Sequence, residues 1–325
     1  MSSSVEPEQT GKLPDTVLIS VVVPTCNRGD LIKECLDSLL SQEFPKERYE
    51  IIIIDSSSTD VVEKIIEQSY PVADPKISYF YQKKEGPSAA RNLGIEKASG
   101  DIIYFFDDDC IADKDCLKII YSAYDRKEIG GVEGRIAGYN SSTIAQKYGD
   151  YLFLRTNVKP GDLLPDMDGP ITCNTSYKKE VLRAVQGFDI QFKTLEDLDI
   201  ALRIRKKGYF FKHMPSALVY HKHRTSLKEI LTRAYYFAFN GGKLLCDKYP
   251  ELFSLKKTIL INIMRIIYKI LTYPYAIITV INADDKKFHL SKPFLDILLS
   301  ISRIFGLMAA VIYGVKYVNN NSNSR

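Results

Sequence analysis

Four strand-length runs dominated by apolar residues, at 18–23, 51–54, 77–81 and 101–106, alternate with segments whose apolar residues recur at helical spacing. Leu31, Cys35, Leu36, Leu39 and Leu40 mark the first such segment. Val61, Val62, Ile65 and Ile66 mark the second, and residues 89–97 form the third. A strand buried on both faces needs apolar side chains at odd and even positions alike, so it reads as a continuous run. Four such strands separated by helices constrain residues 17–125 to an α/β fold with a mostly parallel central sheet and helices on both faces. Sheets of this kind bind ligands beyond the carboxyl ends of their strands. Asn27, Asp55 and the trio Asp107, Asp108 and Asp109 all fall at such ends.

The trio follows directly on Ile102-Ile103-Tyr104-Phe105-Phe106. Carboxylates packed together raise one another's pKa, so three at one strand end call for a shared cation. Oxygen ligands suit a hard divalent ion, Mg²⁺ or Mn²⁺, and an ion so placed goes with a phosphate-bearing ligand. The net charge of +4 is too small to argue for nucleic acid, and no Lys/Arg run is interleaved with aromatics. Six cysteines without a C-x-x-C pair argue against structural zinc and read as thiols of a reducing compartment. Residues 1–16 are polar, lack the apolar centre of a secretory signal, and read as a disordered lead-in.

Residues 126–250 are more mixed. Strands are expected at 132–136, 171–177 and 217–220, and a helix at 196–206 that Gly208 ends. Residues 251–325 form a helical appendage, apolar and amphipathic. The stretches 259–281 and 294–318 are long enough to span a bilayer. Neither is clean. Thr258, Asn262, Arg265, Lys269 and Thr272 form a polar stripe, and Asp296, Ser300 and Arg303 form another. A stripe suits an interfacial helix with its polar face to water and its apolar face in the acyl boundary. A spanning hairpin is the close alternative, and extra soluble core helices a third.

Three stretches together resemble a known family. They are Ser20-Val21-Val22-Val23-Pro24-Thr25-Cys26-Asn27-Arg28, then Gly86 to Gly94 running on into Asp107-Asp108-Asp109, then Glu196-Asp197-Leu198-Asp199 with Arg203 and Gly208-Tyr209. In this order, with Gly187-Phe188-Asp189 ahead of the last, they resemble the family 2 glycosyltransferases of the GT-A fold. The resemblance covers roughly residues 18–245. It implies a nucleotide-sugar donor, with a UDP-sugar the first expectation, and one inverting displacement.

By that resemblance Pro24, Thr25, Asn27 and Arg28 line the base and ribose, and Asp55 accepts from the base. Arg91 offers a fork to phosphate oxygens. Asp109 binds the metal, Asp107 touches the ribose or the metal, and Asp108 has the least defined role. Asp197 is the general base that takes the acceptor's proton. His221 is a third metal ligand, with His223 and Arg224 as phosphate contacts, although His223 competes closely for the metal. Asn174 borders the acceptor pocket, and Glu196 is either an acceptor contact or a first-turn acid. The expected acceptor is a lipid-linked or cell-surface glycan, or a polyprenyl phosphate, met at the cytoplasmic face of a membrane. A dinucleotide fold would need G-x-G-x-x-G after the first strand, which is absent. Two further readings stay open: a sugar nucleotidyltransferase, which would want a Gly-rich basic loop after that strand, and an inactive nucleotide-sugar scaffold.

Overall fold

The structure is a computed structural model and describes residues 18–156, 158–279 and 285–318. The expected lead-in, 1–16, lies outside the described residues. The chain runs β1 (Ile19–Thr25), α1 (Gly29–Leu40), β2 (Tyr49–Asp55), α2 (Val61–Ser69), β3 (Ile77–Tyr81), α3 (Pro87–Lys97), β4 (Ile102–Phe106), β5 (Cys110–Ala112) and α4 (Cys116–Ser122). It continues through β6 (Ile129–Gly138), α5 (Ile144–Phe153), β7 (Asn174–Lys178), α6 (Lys179–Ala184), α7 (Glu196–Lys206), β8 (Phe210–His221) and α8 (Leu227–Phe237). A π-helical turn, Ala238–Gly242, joins α8 to α9 (Lys243–Lys248). Two long helices follow, α10 (Leu255–Thr279) and α11 (Lys286–Ile312).

The uninterrupted apolar runs do what their pattern requires. Val21, Val23, Ile51, Ile53, Tyr104 and Phe106 enter one core, while Val22, Ile52, Ile54, Ile103 and Phe105 enter a second. Successive strand residues point to opposite faces, so each run feeds both layers at once. The strands form one sheet in the order β3-β2-β1-β4-β7-β6-β8-β5. β3, β2, β1 and β4 are mutually parallel, β7 is antiparallel to β4 and β6, β8 is parallel to β6, and β5 is antiparallel to β8. The sheet is thus mostly parallel, as expected. It runs without a break across residues 17–125 and 126–250, so the two halves share one scaffold.

Two local expectations need correction. The strand expected at 171–177 begins at Asn174, because Asn174 N closes a turn onto the Ile171 carbonyl. The strand expected at 217–220 is the end of the longer β8. β5 was not foreseen: at three residues it is too short to show a period. It matters because it carries the chain from the aspartate trio to the far edge of the sheet, where Cys110 pairs with His221.

The helical appendage corrects the expected orientation of its polar stripes. Lys269 Nζ lies 2.7 Å from Asp296 Oδ2, and Tyr148 donates to Asp296 at 2.7 Å, so α10, α11 and α5 meet through these polar groups. Asn262 is only 4% exposed and Ser300 is buried with it. Leu260, Met264, Tyr268, Leu271, Phe305 and Met308 face outward instead. The stripes therefore point mainly into the molecule, with Arg265 the exposed exception. The physical reason is pairing: a Lys and an Asp on facing helices neutralise each other, leaving apolar side chains for the outside. Among the described residues, α11 is the one helix long and apolar enough to cross a bilayer.

Candidate active site

The site begins where β1, β2 and β4 end together. The aspartate trio leaves β4 in a turn closed by Cys110 N onto the Asp107 carbonyl at 3.1 Å. Arg28, just after β1, donates from Nη1 to Asp108 Oδ1 at 3.0 Å and to Asp109 Oδ2 at 2.7 Å. Thr25 Oγ1 gives Asp108 a further bond at 2.7 Å. Burial, set against Arg28, pushes Asp108 up to about 6. Burial raises Asp107 as well, against the pull of Arg91. For Asp109 the positive charge of Arg28 helps to outweigh burial, so its carboxyl stays below the usual range and remains ionised.

The antiparallel pairing of β5 with β8 brings His221 to the trio. Its Nε2 lies 3.4 Å from Asp109 Oδ1. His221 Nδ1 lies 2.9 Å from His223 Nδ1, and His223 Nε2 lies 2.9 Å from Asp150 Oδ1 on α5. Phe153 stacks on His223 at 5.2 Å. Gly149 lets α5 come this close, since a Cβ there would sit 2.8 Å from the His223 ring. Burial lowers both imidazoles, His223 to about 4, so both are neutral at pH 7. Two neutral rings joined through Nδ1 atoms have one donor between them. A proton on His223 Nε2 suits the Asp150 carboxylate. His221 then donates through Nδ1, and its Nε2 lone pair faces Asp109. A lone pair facing a carboxylate oxygen is favourable only with a cation between them.

That arrangement fits a divalent ion. Asp109, Cys110 and His221 bring ligand atoms within 4.8 Å of one another. Carboxylate and imidazole suit Mn²⁺. Burial keeps the Cys110 thiol protonated, which makes it a poor partner for a hard ion. Arg28 Nη1 already holds a positive charge between Asp108 and Asp109.

The second acidic element, at the start of α7, is tied to the first by Arg91. This residue is 5% exposed. It donates to Glu196 Oε1 at 2.6 Å, and its Nη2 lies 3.5 Å from Asp107 Oδ1. Its fork therefore spans two carboxylates, and only Nε is left without a partner among the described residues. Beside Glu196, Asp197 is pushed up to about 7, by burial first and by the Glu196 charge second. Leu195, just before them, sits at φ 61°. That left-handed conformation costs a bulky residue about 1–3 kcal/mol. Close packing holds it there: a Cβ on Gly241 would lie 2.4 Å from the Thr194 carbonyl oxygen.

A cleft of about 350 Å³ opens beside this cluster, lined by Pro24, Thr25, Arg28, Arg91, Asp107 and Asp108 among others. Two expected site residues turn inward instead. Asp55 is fully buried and accepts from Ser57 N at 2.8 Å, from Ser57 Oγ and from Tyr79 OH at 3.0 Å. Its carboxylate builds the turn that holds Asn27, whose N–H donates to Ser57 Oγ at 2.7 Å and whose φ is 56°. Asn174, expected to border the acceptor pocket, has no exposure. It accepts from Tyr104 OH at 2.7 Å and donates to the Arg135 and Ala217 carbonyls at 2.9 and 3.0 Å, pinning β4, β6 and β8 together. Arg224 is exposed and lines a separate, mostly apolar cavity together with His221 and His223. Sequence reasoning missed Asp150, Cys110 and the cleft residue Lys84. Cys110 stood next to the trio and could have been found. Asp150, on a helix of its own, gave no signal.

The model of glycosyl transferase family 2 matches residues 20–185. Glycosyltransferase AglE of Haloferax volcanii is 28% identical over 202 residues, 62% of this chain and 64% of the relative. A Methanococcus voltae dolichyl N-acetyl-alpha-D-glucosaminyl phosphate 3-beta-D-2,3-diacetamido-2,3-dideoxy-beta-D-glucuronosyltransferase is 26% identical over 71% of this chain and 75% of its own length. The chain thus spans just under two thirds of the first of these relatives. Among solved structures, the mannosyltransferase PcManGT from Pyrobaculum calidifontis, in complex with GDP-Man and Mn²⁺, superposes with a TM-score of 0.55 at 17% identity. That likeness covers 91% of this chain and 74% of the other. S. aureus TarS 1-349 in complex with UDP-GlcNAc gives 0.53 at 16% identity over 93% of each chain.

Proposed function

The chain belongs to glycosyl transferase family 2 and has the GT-A fold, and on that premise we propose a metal-dependent, inverting glycosyl transfer from a UDP-sugar to a lipid-linked or cell-surface glycan. One observation carries this reading: Arg91 bonds Glu196 and reaches Asp107, so one buried arginine joins the two acidic elements. Had they lain on opposite faces, no single acceptor could meet both.

Pro24, Thr25 and Arg28 line the cleft where a nucleotide would lie, and Asn27 shapes its turn. Asp109 and His221 would hold Mg²⁺ or Mn²⁺, with Asp107 and Asp108 around them. When bound there, the ion supplies Lewis-acid neutralisation of a departing nucleoside diphosphate. Arg91, fixed by Glu196, keeps a positive charge on the same side. Asp197 accepts the proton of the acceptor hydroxyl as that oxygen attacks the anomeric carbon. Its raised pKa, about 7, makes it a stronger base than an ordinary aspartate. No covalent nucleophile is required, and a single displacement inverts the anomeric centre. A lipid-linked acceptor is favoured by the Methanococcus voltae relative. The outward apolar faces of α10 and α11 favour work at a membrane.

The test is nucleotide release. With Mn²⁺ and a panel of UDP- and GDP-sugars, the wild type should release nucleotide from at least one donor, and Asp197→Asn should bind that donor without turnover. Undiminished turnover by Asp197→Asn would remove the general-base assignment. Formation of a new nucleotide sugar from a sugar phosphate and UTP would replace the reading with nucleotidyl transfer.

A further inference from the structure

Arg28 stands where two of the site's carboxylates meet. Its Nη1 alone bridges them, 3.0 Å from Asp108 Oδ1 and 2.7 Å from Asp109 Oδ2. Arginine and carboxylate frequently meet through two nitrogens in a fork. Here one nitrogen acts as a point charge between two oxygens, and Nε and Nη2 have no hydrogen-bond partner among the described residues. The side chain is 38% exposed and lines the nucleotide cleft. Arg91, by contrast, is buried and locked between Glu196 and Asp107.

The surroundings of Arg28 are fixed without its guanidinium. Asp108 Oδ2 accepts from Thr25 Oγ1 at 2.7 Å, and the Asp109 carbonyl accepts from Lys222 N at 2.9 Å. The Arg28 carbonyl accepts from Leu31 N at 3.0 Å, and Asn27 Oδ1 ties the preceding turn to Ser58 N at 3.0 Å. A change of rotamer therefore carries the guanidinium from the carboxylates into the cleft without moving either strand.

Charge decides what the bridge does. Asp109 Oδ2 is bound to Arg28, while Oδ1 lies 3.4 Å from His221 Nε2. The guanidinium and a divalent ion between Asp109 and His221 would draw on one carboxylate. Like charges at that range repel, and more strongly in a partly buried site than in water. Asp108 is buried and Asp109 half-buried. The oxygens of a nucleoside diphosphate reverse the balance, because they offer the guanidinium a second anion that its fork matches.

Resting on the metal-dependent transfer proposed above, we infer that Arg28 is a displaceable counter-cation, which competes with the divalent ion for Asp109 and turns onto the diphosphate when nucleotide and ion enter together. Ion and diphosphate attract each other directly. Arg28 adds to that coupling, and by linkage each partner gains the same factor from the other. No covalent step is involved.

The test is Mn²⁺ binding to the full chain, read by electron paramagnetic resonance of the free ion with and without UDP. Arg28→Gln should bind Mn²⁺ alone more tightly than the wild type, by about tenfold or more, because a competing charge is gone. An arginine that merely supported the site would give the opposite sign. Arg28→Lys keeps a charge able to bridge the two oxygens and should stay near the wild type. Adding Asp109→Asn to Arg28→Gln should remove the gain. UDP should strengthen Mn²⁺ binding by the wild type at least about tenfold more than binding by Arg28→Gln. A crystal structure of the wild type with Mn²⁺ and UDP, which needs no variant to fold, should place Arg28 Nη1 beyond about 4 Å from Asp109, outside ion-pair range. Equal or weaker Mn²⁺ binding by Arg28→Gln would overturn the inference. So would a gain that survives Asp109→Asn, or an Arg28 that stays on Asp109 in that complex. In each of these cases Mn²⁺–UDP binding by the wild type leaves the metal-dependent reading standing. If the wild type binds no Mn²⁺ even with UDP, that reading falls and the inference falls with it.

Discussion

On the proposed reading Asp197 takes a proton and Asp150 fixes the place of one. Burial and the Glu196 charge place Asp197 near 7, so below that pH it is protonated and cannot accept. The sign follows: kcat/KM should rise with pH and level off above about 7, falling about tenfold per pH unit on the acid side. Asp197→Asn should cost about 10²–10⁴-fold in kcat and abolish that limb, as a pH profile of nucleotide release would show. Asp150 meets His223, which in turn meets His221, the proposed metal ligand. Asp150→Asn turns a proton acceptor for His223 Nε2 into a group that can present a donor. The histidine pair then loses the tautomer that aims the His221 lone pair at Asp109. Mn²⁺ affinity should fall about 10–100-fold in a calorimetric titration, with overall stability little changed. Sequence placed Asp109, His221 and Asp197 in functional stretches because their motifs are local. It could not see that Asp55 and Asn174 turn inward, since that depends on Tyr79 and Tyr104, 24 and 70 residues away respectively.

At the scale of elements, α7 is held from behind. Asp199 has no exposure and meets Arg203 at 2.7 and 3.0 Å, Lys248 at 2.7 Å and Tyr249 OH at 2.8 Å. Arg203 also donates to the carbonyls of Val185 and Gly187 at 2.5 and 2.7 Å. Removing one partner of a buried ion pair costs about 3–5 kcal/mol, because the others keep their charge without an anion. Asp199→Ala should therefore lower the urea midpoint by a corresponding amount with an unchanged slope, and Asp199→Asn by less. An unchanged midpoint would show that α7 does not depend on this anchor. The i,i+4 pair of Asp199 with Arg203 is legible in the helical spacing. Lys248 and Tyr249, contributed by a segment some fifty residues later, are not. The parallel strands were legible for the opposite reason: burial on both faces writes itself into every position of the run. A short edge strand such as β5 writes nothing.

Across the whole molecule, the question left by the sequence was which way the helical appendage faces, and its polar stripes alone gave the wrong sense. A stripe defines a face of a helix but not the medium it meets. Lys269 and Asp296 choose each other over water, which turns the apolar faces out. Leu260, Met264, Ile267 and Leu271 are 56%, 55%, 44% and 73% exposed. Moving such a side chain fully out of water contributes about 1.5–3 kcal/mol. Replacing all four with serine should shift the full chain by well over about tenfold toward the aqueous fraction in vesicle flotation, with Mn²⁺–UDP binding retained. Equal flotation of both proteins would mean that this face does not meet lipid. Substitution is a sharper test than truncation, because α11 packs on α5 and α8 and walls the mostly apolar cavity beside the histidine pair. A shortened chain would lose that cavity together with the outer face, and a fall in flotation would then no longer report on the surface alone.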